Sequence, residues 1–328
     1  MISVEKYETS HKAAWDSLVS EGINSSFLFY REFMEYHADR FTDHSLIITK
    51  GTKIIGLLPA NVVDNQLHSH QGLSYGGFVL NPTLKYFEIY DLFVAVLRFL
   101  YQNGIKDFYL KQIPWIYNNK PFDDLDWVLF ICEAKLYRRD VSMAVRKADK
   151  QRYQTRRLRA IKKAKVLNPI IHCDEGDVGF RNFWKKVLEP NLRIRHRVTP
   201  VHSVDEIAML ANRFPSQIRQ YNIYLDSEIM AGTTLFVNPN VVHAQYIAST
   251  EEGKKHGCLD YLIDHLIHHC DASIPYFDFG TSNENQGATI NHGLLEWKEG
   301  FGAKSVSHDF YHISTLNYKK LNSKLNSE

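Results

Sequence analysis

The sequence predicts an α/β (α+β) protein of two tandem domains, each a mixed, mostly antiparallel sheet flanked by helices. Three observations carry this reading. The chain has 328 residues, long for one core and comfortable for two. The same order of elements runs twice along it. Near the end, the short aromatic strand Tyr276-Phe277-Asp278-Phe279-Gly280 breaks at a glycine into a polar loop. An α/β protein places a site at the carboxyl end of a strand in this way.

In the first half, 13–19 and 31–41 have helical periodicity. Residues 45–49 and 53–63 read as strands joined by a turn at Gly51-Thr52, and Pro59 inside the second marks an edge or a bulge. A glycine-rich piece and a short strand occupy 68–80. Helix 86–100 puts Ile89, Phe93, Val96, Leu97 and Leu100 on one face and ends at Gly104. Strand 107–113, helix 124–134 and strand 137–145 complete the half.

The second half opens with helix 151–164 and strand 169–173. Helices 180–188 and 203–213 follow, the latter opened by Ser203 with Glu206 three residues on, a capping-box pattern. Strands 217–225, 228–237 and 241–249 form a meander turning at Asp226-Ser227. Helix 259–269 turns Leu259, Leu262, Ile263, Leu266 and Ile267 inward. Strand 276–280, helix 288–299 and a closing strand 305–313 end the pattern. The expected domains are 1–147 and 148–328.

Composition narrows the function classes. Apolar content of 44% and charged content of 23% are ordinary for a globular protein, and a net charge of +2 creates no global field for DNA. The four cysteines form no CxxC pair and no metal-ligand spacing. No apolar run reaches the roughly 18 residues of a membrane span, and the first ten residues hold no apolar signal core. The expectation is a reduced, cytoplasmic protein without metal or integral membrane association.

Charge is uneven, however. Residues 146–165 hold ten Lys or Arg against one acid, Asp149. Arg152, Arg156 and Arg159 share a helical face and are candidates for binding phosphate, whether of a nucleotide-sugar, CoA, tRNA or anionic lipid. On strand 241–249, alternation puts His243 and Gln245 on one face. A buried polar pair must find partners, so it builds a network or lines a cavity. Asp278 on the neighbouring strand is placed to orient His243 as a base. In the first half, Ser69-His70-Gln71-Gly72-Leu73-Ser74-Tyr75-Gly76-Gly77 combines glycines that allow close backbone approach with polar, stacking-capable His70 and Tyr75. It is expected to contact ligand.

These pieces resemble the FemAB-like and BioF2-like acyltransferases of the GNAT superfamily, in the surface-polysaccharide cluster type. The resemblance rests on the 69–77 stretch, Phe33-Met34-Glu35-Tyr36-His37, Tyr137-Arg138-Arg139-Asp140, Pro200-Val201-His202-Ser203, His243-Ala244-Gln245-Tyr246 and Phe277-Asp278-Phe279-Gly280, and covers residues 15–313. The doubled order of elements is also that of a GNAT domain. The resemblance implies acyl transfer, with acetyl-CoA or another acyl-CoA as donor, to an amine of a cell-envelope precursor such as a nucleotide-linked amino sugar. The alternatives are aminoacyl-tRNA-dependent transfer to a peptidoglycan-like precursor, or a non-catalytic nucleotide-binding protein on this fold.

Catalytic candidates are then His243, Asp278 and Lys298; the last, expected at the cleft rim, takes its role from the resemblance. His70, Tyr75, Gly76, Gly77, Gln245, Tyr246 and Asn291 are substrate-binding candidates. Acyl-CoA-binding GNAT proteins carry Gln/Arg-x-x-Gly-x-Gly/Ala before the strong helix. Here the loop reads Lys254-Lys255-His256-Gly257-Cys258-Leu259, departing at the last position. Lys254, Lys255, Gly257 and Cys258 are the donor-binding candidates.

Overall fold

The computed structural model describes residues 1–174, 176–196 and 198–325. In chain order the first elements are β1 (Ile2–Lys6), α1 (Lys12–Glu21), α2 (Arg31–Met34), β2 (Leu46–Lys50), β3 (Lys53–Leu58), β4 (Asn61–Val63), β5 (Gln66–His68) and β6 (Val79–Leu80). Next come α3 (Tyr86–Gln102), β7 (Asp107–Lys111), α4 (Asp124–Ile131), β8 (Lys135–Arg146), α5 (Thr155–Val166), β9 (Ile170–Asp174), α6 (Asp177–Phe183), α7 (Glu189–His196) and α8 (Val204–Arg213). The meander β10 (Ile218–Leu225), β11 (Glu228–Val237) and β12 (Val241–Ser249) leads to α9 (Glu251–His256), α10 (Cys258–His269) and β13 (Tyr276–Thr281). A small hairpin of β14 (Asn283–Glu284) and β15 (Thr289–Ile290), then α11 (His292–Glu299), β16 (Lys304–Ser314) and α12 (Tyr318–Leu325) complete the fold.

Two compact units result. The first comprises Met1–Asp140, Gln286–Ala288 and Ser307–Glu328; the second comprises Val141–Asn285 and Thr289–Val306. The first holds an antiparallel sheet in the order β1-β2-β3-β6 and a second run of strands β4-β5-β7-β16. Its core packs α3 on these strands through Ile89, Phe93, Val96, Leu97 and Leu100, the face that periodicity predicts. Each such buried side chain contributes about 1.5–3 kcal/mol.

In the second unit the order is β8-β13-β12-β11-β10-β9, taking the part of β8 after Asp140. Leu262, Ile263, Leu266 and Ile267 of α10 pack on Val242, Ala244 and Phe277. Ser203 and Glu206 form the expected capping box, with Glu206 N–H donating to Ser203 Oγ at 3.2 Å and Ser203 N–H to Glu206 Oε2 at 2.7 Å.

Several readings are corrected. The expected helix over 31–41 stops at Met34 and continues only as a 3-10 turn, Glu35–His37. Pro59, which has no N–H to donate, does not sit in a bulged strand; it separates β3 from β4, and the two join different sheets. The expected closing strand of the second half, β16, pairs instead with β7, Phe310 opposite Lys111. The segment 250–258 is mostly helix rather than loop: Thr250 Oγ1 caps α9 by accepting from Gly253 N–H at 2.9 Å.

Candidate active site

Strands β12 and β13 run parallel, but their ladder holds only three pairs: Val241 with Tyr276, Val242 with Phe277, and His243 with Asp278. Both strands continue past that point without pairing to each other. The last pair is also the polar one. His243 Nδ1 lies 2.9 Å from Asp278 Oδ2. Asp278 Oδ1 accepts from Ser142 Oγ at 2.7 Å and from Gly280 N–H at 2.9 Å. With Asp278 only 2% exposed, its oxygens are held by protein groups rather than by water. This fixes His243 through Nδ1 and leaves Nε2 as its second ring nitrogen.

Gly280 turns the chain beside this pair at φ +73°, and a Cβ there would stand 3.1 Å from His243 Cε1. Its carbonyl and that of Thr281 accept from Lys298 Nζ at 2.8 and 2.7 Å. Lys298 is not at a rim, as the sequence suggested. It is 2% exposed, and burial pushes its pKa down to about 8 against the pull of Asp278.

A cavity of about 890 Å³ begins here, with Lys298, Thr281, Phe279 and Gln245 on its wall. The expected common face of His243 and Gln245 is interrupted. The β11–β12 register slips so that Leu235 faces Ala244 while Thr234 faces Tyr246, and Gln245 is the extra residue of a bulge. His243 stays on Asp278. Tyr246 packs edge-on against Trp184, and its hydroxyl lies 2.6 Å from His202 Nδ1. Asn291 also lines the cavity, where its side chain caps α11 by accepting from Leu294 N–H at 3.0 Å and bonds Glu284 at 2.9 Å.

Of the donor-loop candidates, Lys254 and Gly257 line the cavity. Gly257 joins α9 to α10 at φ +74°, and a Cβ there would meet the Ala160 carbonyl at 2.4 Å. Lys255 pairs with Glu252 at 3.0 Å. Cys258 is wholly buried in the core and presents no thiol to a ligand.

The candidates of the basic helix lie on the face turned away from this cavity. Arg152, Arg156 and Arg159 are exposed, and Arg156 pairs with Glu296. The face that turns inward carries Arg157, Ala160 and Ala164. Arg157 Nη1 donates to both Asp260 oxygens, at 2.7 and 2.5 Å, and Trp297 Nε1 donates to Asp260 Oδ1 at 2.8 Å. All three residues line the cavity, at the first turn of α10, while Arg157 Nε is buried without a partner. The signal was present in the apolar spacing of Ala160, Ile161 and Ala164, which points Arg157 the same way.

The 69–77 loop lies in the first unit, folded over β7. Ser69 Oγ accepts from Lys111 N–H at 2.7 Å, and Lys111 Nζ donates to Leu73 O at 2.5 Å. Gly76 is required by close approach, since a Cβ there would lie 1.8 Å from Ser69 O. Gly77 sits at φ +96°. A second cavity, about 390 Å³, is lined by His70, Lys111, Tyr109, Tyr137 and Arg138. His70 holds φ +62°, is 4% exposed, and keeps a buried Nδ1 without a partner; burial pushes its pKa down to about 3. Lys111 is pushed down to about 8, also by burial. Tyr75 does not share this wall; it packs between Phe29 and Tyr117 in the core.

Comparison with known proteins bears on the fold. Residues 149–299 match the family model of the acetyltransferase (GNAT) domain. No curated protein matches the sequence. Among solved structures, FemX is similar over 97% of this chain and 99% of its own, with a TM-score of 0.69 at 10% identity. The C-terminal domain of a lysylphosphatidylglycerol synthetase from Agrobacterium fabrum is similar over 97% and 95%, with a TM-score of 0.59 at 10% identity. A tandem GNAT protein from the clavulanic acid biosynthesis pathway is similar over 96% and 99%, with a TM-score of 0.51 at 10% identity. At such identities these three speak for the fold, and the family match covers the stretch that holds the cavity: residues 149–299 match the GNAT acetyltransferase domain model, in a chain with the fold of FemX and of tandem GNAT proteins.

Proposed function

We propose that the protein is an N-acyltransferase whose chemistry takes place where β12 and β13 part. The observation that carries this is the buried Lys298 amine, held on the Gly280 and Thr281 carbonyls immediately beyond the last β12–β13 pair. An acyl carbonyl entering the gap would meet main-chain groups not used in a β12–β13 ladder. A main-chain N–H and the Lys298 ammonium together would stabilise the oxyanion. The acceptor amine forms the new C–N bond and gives its proton to His243 Nε2, with Asp278 holding the resulting imidazolium. The bond from the acyl carbon to the donor's leaving group breaks, and the proton returns to that group.

For the donor we propose acyl-CoA, the ordinary partner of a GNAT domain, and for the acceptor an amine on a cell-envelope or polysaccharide precursor such as a nucleotide-linked amino sugar. His70, next to Lys111 in the first unit's cavity, is our candidate for holding a substrate. One observation favours a second reading for the donor. A CoA pyrophosphate needs the free N–H groups of a helix start. In α10 the first turn carries the Asp260 carboxylate, closed in by Arg157 and Trp297. An aminoacyl ester of tRNA needs no pyrophosphate seat there.

The test is a product assay with two donors. Acetyl-CoA, or an aminoacyl-tRNA, is incubated with a UDP-linked amino sugar, and the acceptor's mass is followed. A mass increase lost in Lys298→Met supports acyl transfer, and the donor that gives it decides between the readings. If neither donor modifies any of a panel of amine acceptors, while nucleotide still binds, the protein is a binding module rather than an enzyme.

A further inference from the structure

The outward face of α5 has no role in the chemistry described above. Its inward face carries Arg157, Ala160 and Ala164 against the cavity and core. On the other side Arg159, Lys162, Lys163 and Lys165 are exposed, as is Arg152 just before the helix. From residue 150 to residue 170 there is no Asp or Glu. Among the described residues, Arg152, Arg159, Lys162 and Lys165 have no carboxylate partner, although ion pairs are numerous elsewhere on the molecule. Asp149 and Glu296 are taken by Arg146 at 3.6 Å and Arg156 at 3.3 Å.

Aliphatic side chains stand among these cations. Leu158 is 53% exposed and Val166 73%; beyond the helix end, Leu167 and then Ile170 on the edge strand β9 continue the strip, with Ile170 60% exposed. Val166 projects in nearly the same direction as Arg159 and Lys162 on the helical wheel, with Leu158 and Lys165 on its flank. A lone exposed leucine needs no explanation. Four aliphatic residues interleaved with free cations and no acid over one helix and its exit turn have the composition of an interfacial segment.

We propose that the outward face of α5 and the turn into β9 form a docking surface for an anionic phospholipid bilayer. The cations sit at the headgroup phosphates, and Leu158, Val166 and Leu167 enter the acyl boundary. Charge complementarity points to an anionic partner; the aliphatic residues select lipid over nucleic acid. A single-stranded RNA surface would interleave its cations with aromatic rings for stacking, and this face has none. Tyr153, just before the helix, lies beside His268 with its hydroxyl 3.2 Å from His268 Nε2. The attachment is peripheral, since no helix among the described residues is long and apolar enough to cross a membrane.

Co-sedimentation of the full chain with vesicles tests the proposal. Vesicles of phosphatidylcholine with about 30 mol% phosphatidylglycerol should bind the protein at low salt, and pure phosphatidylcholine should not. Charge reversal at Arg159, Lys162 and Lys165 should weaken binding about tenfold or more. Leu158→Ser with Val166→Ser should weaken it several-fold while leaving the salt dependence unchanged, which a purely electrostatic contact would not show. All five positions are exposed, so an unchanged melting temperature should confirm folding. Absence of binding to the anionic vesicles at low salt overturns the proposal, as does full binding by the double serine variant. So does a gel shift with tRNA that is lost on charge reversal, when vesicle binding is lacking.

Discussion

The two units use one device in two settings. Each holds a lysine whose pKa desolvation lowers to about 8, and each ties that amine to backbone carbonyls of a glycine-bearing segment: the buried Lys298 to Gly280 and Thr281, the half-buried Lys111 to Leu73. The surroundings differ. Lys298 stands beside an ionisable Asp278–His243 pair at the end of a ladder between parallel strands. Lys111 stands beside neutral His70, aromatic walls, and an Arg138 already paired with Asp140 at 2.6 Å. A lysine of lowered pKa is therefore not by itself a sign of catalysis. What distinguishes the second unit is a carboxyl–imidazole pair and a gap in a sheet at one point.

The largest expected effects break this contrast at its glycines. Gly76→Ala forces a methyl group to within 1.8 Å of the Ser69 carbonyl, which cannot yield as a side chain can. It should destabilise the first unit by about 4 kcal/mol or more, read as a lower denaturation midpoint. Gly280→Ala meets only the His243 ring edge, at 3.1 Å, but must hold φ +73°. It should cost about 1–2 kcal/mol and reduce turnover by displacing His243. Equal destabilisation by both would remove the distinction between a structural and a functional glycine.

Next in size, Asp278→Asn should lower kcat by about a hundredfold or more, because His243 loses the charge that stabilises its protonated form. Near wild-type turnover in a folded variant would move the base elsewhere.

The pH dependence follows from the lysine. If the ammonium form of Lys298 stabilises the oxyanion, kcat falls as pH rises through about 8. Lys298→Arg, charged throughout, should show a flat limb there with reduced absolute rate. For stability the sign is fixed as well. A lysine with a lowered folded pKa disfavours the fold below about 8 and ceases to do so near its unfolded value, so this group's contribution rises with pH across that window. His70, held neutral, makes the fold less stable as pH falls from 6.5 toward 3, because only the unfolded chain takes up the proton. Denaturant titrations of His70→Gln should show a shallower acid loss than wild type.

Much of this was readable from the residues. Periodicity gave the core faces of α3 and α10, and the Tyr276–Gly280 break marks where β13 parts from β12. Other features depended on tertiary context. The inward face of α5 hinges on three small apolar residues, which ten basic neighbours obscure. The bulge at Gln245 leaves no mark in an alternation pattern. Lys298 reads as a residue of the cleft rim until the Gly280 and Thr281 carbonyls are seen to meet it. The exchange of β16 into the first unit follows from pairing partners, which local sequence does not specify.

The most direct test of the central claim is a comparison of kcat and KM for Lys298→Met and Lys111→Met on a competent donor–acceptor pair. If chemistry takes place at the β12–β13 gap, Lys298→Met should lose about a hundredfold or more in kcat. Lys111→Met should keep kcat within about tenfold and show its effect in KM or in stability. Loss of kcat in Lys111→Met, with turnover retained in Lys298→Met, would contradict the account and place the chemistry in the first unit.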